Sequence, residues 1–291
     1  MIGALFSVFG LAIGSFLNVA ILRYGGESFF SVGRLGGRSS CPRCKRQLRW
    51  YELVPVLSFA VQGGKCRGCR SRISWQYPAV ELATAGAFFL ASSVLYSHYS
   101  FPDLHPYRIP MVVGWAAIFA SLIALSAVDI RMMLIPDELT ILIAAVGLAF
   151  GFADSGFFGS TPYFDSFLGN YSFLFPQFGN PFISHIIGGV AGFALLGAIA
   201  LVSRGRAMGM GDVKLAGAMG LVLGFPDIYF ALALGFLLGG AWSAVLVVSS
   251  LFRGGRTGMG TMVPFGPFLA LGFLAHVLFI HPLVTWYFAL L

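Results

Sequence analysis

Residues 183–202 read ISHIIGGVAGFALLGAIALV, and residues 2–22 read IGALFSVFGLAIGSFLNVAIL. Each is about twenty residues without a charge, long enough for a helix to cross a hydrocarbon core of roughly 30 Å. The rest of the chain is of the same kind. Of its 291 residues, 58% are hydrophobic and 10% charged, against about 25% charged in a soluble domain, which excludes an ordinary soluble globule. Hydropathy and breakers place spans near 2–22, 78–97, 110–128, 138–153, 183–202, 213–224, 229–251 and 264–290. The expected fold is an all-α polytopic membrane protein of about eight transmembrane helices. The first segment has no basic n-region and no small-residue cleavage site before Arg23, so it reads as a retained span and not as a signal peptide. The sixth, 213–224, is too short to cross alone by length. Its Gly217, Gly220 and Gly224 point to close packing or a tilted, partly broken helix.

The net charge of +7 is unevenly placed: eleven of the eighteen Lys and Arg lie between Arg23 and Arg72, where Glu27 and Glu52 are the only acids. In a membrane protein this reads as a cytoplasmic loop under the positive-inside bias, compatible with anionic lipid, and not as a nucleic-acid patch. Putting 23–77 in the cytoplasm fixes the later loops by alternation. Arg131, Arg204, Arg206, Lys214, Arg253 and Arg256 then fall at cytoplasmic turns, and only Arg108 falls outside. Both termini are expected outside. Asp154 to Phe182 holds no Lys or Arg and many Gly, Phe, Pro and Ser. It reads as a long external loop whose aromatic content suits the interface, with a lid as the functional alternative.

The four cysteines, Cys41, Cys44, Cys66 and Cys69, form two CxxC knuckles separated by twenty-one residues. Each knuckle aims two thiolates at one ion, and a pair completes a tetrahedral Zn²⁺ site. Disulfides are the alternative, but the topology puts all four thiols in a reducing cytoplasm. With four sulfur ligands and no open position, the metal is expected to be structural.

Asp129 closes the apolar run from Ile118 to Val128, and Asp212 follows Gly209-Met210-Gly211 at the start of the sixth span. Both are placed at the cytoplasmic face. Ionisable groups at membrane depth are costly, so they pair or face water and are functional candidates. A helix N-cap accounts for Asp212 alone but not for its two glycines, which allow another chain to lie close to the carboxylate. Asp129 sits at a helix C-terminus, where the dipole disfavours a negative charge, so capping explains it poorly. Asp137, in Ile135-Pro136-Asp137-Glu138, is a third candidate and otherwise a loop or N-cap residue. Two neighbouring carboxylates in a poorly solvated site share a proton: one activates water while the other polarises a carbonyl, the chemistry of aspartyl peptide hydrolysis. No Ser-His or Cys-His arrangement offers itself, since His98, His105, His185, His276 and His281 fall outside or within spans.

Six stretches carry a resemblance. They are Gly14-Ser15-Phe16-Leu17-Asn18-Val19, the cysteine module, Tyr77-Pro78-Ala79-Val80-Glu81-Leu82, Asp129 with Ile135-Pro136-Asp137 and then Gly209-Met210-Gly211-Asp212-Val213-Lys214-Leu215, and Pro264-Phe265-Gly266-Pro267-Phe268. Together they resemble, in order, the type IV prepilin leader peptidase family, bifunctional GxGD membrane aspartyl proteases of pilus and type II secretion systems. The resemblance implies that Asp129 and Asp212 are the catalytic pair. It also implies that the cysteine-bearing half, 1–100, serves N-methylation with S-adenosylmethionine, and that 108–291 is the peptidase. The implied substrate is a type IV prepilin or pseudopilin, cleaved after its basic leader at the cytoplasmic side of the bacterial inner membrane. The departures are the external segment 154–182 and Tyr24-Gly25-Gly26, where relatives more often carry leucine-proline; neither touches the aspartates. No glycine-rich S-adenosylmethionine fingerprint is present. Asn18 and Glu81 are the candidates for that cofactor site, with interhelical hydrogen bonding and a first-turn helix acid as their alternatives.

Two other classes compete. A proton-coupled transporter also uses paired acids, but near the bilayer midplane. A non-enzymatic assembly factor uses the zinc loop and leaves the GxGD element unexplained.

Overall fold

The computed structural model describes residues 2–30, 36–98, 108–157, 166–176, 178, 180–252 and 263–289. Among these the chain is helical, with α1 (Ile2–Arg23), a short α2 (Leu57–Val61), α3 (Gln76–His98), α4 (Arg108–Met132) and α5 (Asp137–Phe157). There follow α6 (Pro181–Val202), α7 (Met210–Leu223), α8 (Asp227–Phe252) and α9 (Gly266–Ala289). A helix stands at each of the eight expected positions. Among the described residues, five stretches are long and apolar enough to cross a membrane: Gly3–Arg23, Ile109–Met132, Pro181–Val202, Asp227–Ser250 and Gly266–Tyr287. The chain is a multi-pass membrane protein.

Two compact units divide the chain, Met1–Val128 and Asp129–Leu291. The boundary falls inside α4, so Asp129 and the last turn of that helix belong with the second unit.

In the first unit α1 packs along α3. Gly10 and Gly14 face α3 so closely that a Cβ on Gly14 would lie 2.8 Å from the Glu81 Cα. The connection between the helices carries the cysteine knuckles. They repeat one local design: Lys45 N–H donates to the Cys41 carbonyl and Arg70 N–H to the Cys66 carbonyl, each at 2.9 Å. Lys45 at φ 60° and Arg70 at φ 57° turn the chain in the left-handed region just after each second cysteine.

In the second unit the short α7 packs against both α5 and α6. It is only 14 residues long, with nine buried, and ends at Gly224 in the left-handed region, φ 76°. Close approach is obligatory here, because a Cβ on Gly220 would overlap the Gly188 carbonyl of α6. The glycines of the sixth predicted span thus serve packing, as expected. Local signals also set the neighbouring termini. The Asn180 side chain accepts the Phe182 N–H at the start of α6, where Pro181 leads the helix, and α5 opens with Asp137 and Glu138 in its first turn.

The described part of the 154–182 segment includes a 3₁₀ turn at Gly169–Leu174. Arg34, Arg253 and Arg256, three of the basic residues used in the topology, lie outside the described residues.

Candidate active site and metal centre

Asp129 is 5% exposed. Its Oδ2 accepts the backbone N–H of Gly266, the first residue of α9, at 2.9 Å. The helix-dipole objection raised by the sequence is answered by this contact. Asp129 sits at the unfavourable end of α4, but its carboxylate is turned to the N-terminus of α9, where unpaired N–H groups and the positive end of the dipole favour an anion. Gly266 is required there, since an added Cβ would lie 2.7 Å from Asp129 Oδ2.

Asp212 is half-buried in the first turn of α7. Gly209 is the N-cap residue, so Asp212 is not the cap. Its carboxylate instead takes the Gly209 N–H and lies close enough to Asp129 for the two charges to interact. Gly211 meets Ile135, with an added Cβ only 3.1 Å from the Ile135 Cβ. The close backbone approach read from the glycines therefore occurs at Gly211. At Gly209 the nearest atom to an added Cβ is 3.6 Å away, which is ordinary contact.

Asp137 is exposed and bound to Lys214 Nζ at 2.9 and 3.0 Å. It opens α5 and ties the Ile135-Pro136-Asp137 turn to the helix that carries Asp212.

The four cysteine sulfurs lie within 4.8 Å of one another. None is in a disulfide. Zn–S bonds of about 2.3 Å in a tetrahedron put sulfurs about 3.8 Å apart, and Cys41 Sγ to Cys69 Sγ is 3.9 Å. The donor set fits zinc. The Cys44 backbone N–H, joined by that of Arg43, outweighs burial and pushes the Cys41 thiol down to about 6. The Ser71 hydroxyl and backbone lower Cys69 as well. Beside the knuckles, buried Glu52 takes the Arg49 N–H at 2.9 Å and pairs with Arg46.

Asn18 is fully buried and its Nδ2 donates to the Tyr77 carbonyl at 3.0 Å. Glu81, 6% exposed, accepts the Val56 N–H at 2.8 Å. The interhelical hydrogen bond offered as the plain reading of Asn18 is present, but it uses only one end of the amide.

Sequence reasoning missed a buried pair in the second unit. Asp227, at the start of α8, holds His276 of α9 through Oδ1–Nε2 at 2.6 Å, with both side chains fully buried. Asp227 Oδ1 also accepts the Phe167 N–H at 3.1 Å, which fixes part of the 154–182 segment. An aspartate one residue after a proline reads as a helix-start acid, and a lone histidine in a span carries no partner signal, so no pattern joined residues 49 positions apart.

Two family models match the chain: the Bacterial Peptidase A24 N-terminal domain over residues 8–95, and the Type IV leader peptidase family over 116–244. The "Prepilin leader peptidase/N-methyltransferase" of Bacillus subtilis is 31% identical over 99% of this chain and 98% of its own length. The chain belongs to the type IV leader peptidase family. That family is one of aspartic proteases. The protein of the same name in Aeromonas salmonicida is 30% identical to this peptidase, over 96% of the chain and 91% of the relative. The "Type 4 prepilin-like proteins leader peptide-processing enzyme" of Escherichia coli is 31% identical over 93% and 91%. No solved structure matches this peptidase.

Proposed function

We propose that this membrane peptidase removes the basic leader from type IV prepilins or pseudopilins with the Asp129/Asp212 pair, then methylates the new N-terminal residue. The observation that carries the reading is the Asp129 carboxylate. It is buried, anchored on the Gly266 N–H, and within electrostatic reach of Asp212. Two such carboxylates cannot both ionise readily, so they hold one proton between them. The ionised member draws a proton from water as that water attacks the scissile carbonyl. The protonated member donates a hydrogen bond to the carbonyl oxygen, and the proton then passes to the leaving amine. The Gly266 N–H keeps Asp129 oriented throughout, and the Lys214–Asp137 pair keeps the turn beside Asp212 in place.

We assign eight crossings, with the zinc loop and both aspartates facing the cytoplasm of the bacterial inner membrane. The crowding of eleven basic residues between Arg23 and Arg72 supports this orientation. A prepilin's basic leader is retained on that side, which brings the cleavage point to the aspartates. We assign methyl transfer to 1–100 and proteolysis to 108–291. In the first, Cys41, Cys44, Cys66 and Cys69 hold a structural zinc ion that fixes the connection between α1 and α3. S-adenosylmethionine supplies the methyl group, and the unpaired buried Asn18 Oδ1 beside α3 marks polar capacity that the fold itself leaves unused.

Incubating purified protein with a prepilin and isotopically labelled S-adenosylmethionine, then reading the product N-terminus by mass, tests the whole proposal. Loss of the leader plus one labelled methyl is the expected product. An intact prepilin refutes the peptidase reading, and a cleaved but unlabelled one refutes the methylation.

A further inference from the structure

The α1/α3 seam holds more hydrogen-bonding capacity than its packing uses. Glu81 is 94% buried by its 6% exposure, yet its partners are the Val56 N–H and the Ser15 hydroxyl, and no cation reaches it among the described residues. Burying a carboxylate without a counter-charge is costly unless something arrives to neutralise it. Asn18 is 0% exposed, and its Oδ1 has no partner. Ser15 and Asn18 stand one turn apart on α1, and Tyr77 and Glu81 one turn apart on α3. Because Ser15 reaches Glu81 and Asn18 reaches Tyr77, the carboxyl group and the orphan oxygen belong to successive rungs of one seam, about one helical turn apart along it. The cysteine-bearing connection also reaches this seam. Val56 sits at φ 60°, ψ −50°, a costly conformation for a β-branched residue, and from it donates to Glu81. Asn18 Oδ1 has no partner, and the Glu81 carboxyl beside it has no counter-charge among the described residues. They call for a cation that carries several N–H donors.

We propose that Glu81 and Asn18 bind the free α-ammonium of the leader-cleaved subunit and that Glu81 removes its proton for methylation. This rests on the methyl-transfer reading above. The α-amine of a peptide is mostly protonated at neutral pH, and a protonated amine has no lone pair with which to attack a methyl group. At Glu81 one N–H bond breaks, its electron pair stays on nitrogen, and the proton passes to the carboxylate and then to water. Asn18 Oδ1 accepts a second N–H of the same terminus and orients the lone pair. The ligand class is a primary amine on an apolar peptide. The ammonium of the methyl donor is the other source of the same chemistry, and binding measurements separate the two.

The probe is a detergent-soluble apolar peptide with the N-terminal sequence of a leader-cleaved prepilin, offered to the full-length protein with its amine free or acetylated and with no methyl donor present. Wild type is expected to bind the free amine at least roughly tenfold more tightly than the acetylated peptide, and Glu81→Gln to bind both alike. Binding of S-adenosylmethionine alone is expected to be unchanged in the variant. Methylation by Glu81→Gln is expected to fall by roughly a hundredfold or more near neutral pH and to recover above the pKa of the amine, where water has already taken the proton. Glu81→Asp, which keeps the carboxylate, is expected to retain partial methylation. Equal binding of the two peptides by wild type overturns the proposal, as does loss of S-adenosylmethionine binding in Glu81→Gln or an unshifted pH profile. If wild type cleaves but never methylates, the methyl-transfer reading falls and takes this proposal with it.

Discussion

Asp129 Oδ2 rests on the Gly266 N–H at 2.9 Å, across 137 residues of chain. The carboxylate that ends one helix is held by the first residue of another, and that residue has no room for a side chain. Gly266→Ala forces a methyl to within 2.7 Å of the same oxygen. Leader removal is expected to fall roughly a hundredfold, because a displacement of about 1 Å at a reacting group costs that much. Thermal unfolding measured alongside turnover checks it: a loss of activity no larger than the loss of folded protein would count against a positioning role.

Asp129→Asn and Asp212→Asn keep shape and hydrogen bonding but end proton sharing. Each is expected to lower cleavage by roughly a thousandfold or more while α-helical content stays intact. A folded variant that still cleaves well would remove that aspartate from the pair, with Asp137 the first replacement to test through Asp137→Asn.

Stripping zinc, or changing Cys41 to Ser, is expected to unfold the knuckles, since closed four-sulfur sites supply folding free energy directly. Metal content should fall from one ion per chain. Methyl transfer is expected to fail before peptide cleavage does. A metal-free preparation that methylates normally would show that the knuckles stand without zinc.

Glu52 gives the knuckles a dependence on acid. The Arg49 N–H, then the Arg46 guanidinium, hold its carboxyl below the usual glutamate range. A depressed folded value means that the stabilisation is present above the ordinary carboxylate pKa of about 4 and is lost as pH falls through the folded value. Melting temperature followed downward from pH 6 should drop more steeply in wild type than in Glu52→Gln. Parallel curves would show that this carboxylate contributes nothing.

The Asp227–His276 pair is fully buried, so removing one partner strands the other. Asp227→Ala is expected to destabilise the second unit by about 3 kcal/mol or more, read as a lowered unfolding temperature in detergent. The double change Asp227→Leu with His276→Leu should recover much of that loss, because apolar replacements leave nothing unpaired. Faster proteolysis within 166–174 in Asp227→Ala would accompany release of the Phe167 amide.

Long uncharged stretches can satisfy their backbone in lipid only as helices, so the sequence by itself determined the helical membrane architecture and placed a helix at all eight positions. It also determined the four-sulfur cluster, because two CxxC knuckles bring their sulfurs together largely through local turns. The glycines before Asp212 announced a close approach, and the structure assigned it to Gly211 alone. Only the tertiary structure decided what surrounds each acid. That Asp129 is carried by Gly266, Asp137 by Lys214, and Asp227 by His276 and Phe167 depends on contacts between residues far apart in the chain. Helical periodicity and composition report a residue's own segment. A buried carboxylate, however, is stabilised by whatever donor the packing of other segments brings to it, and that depends on how the helices meet.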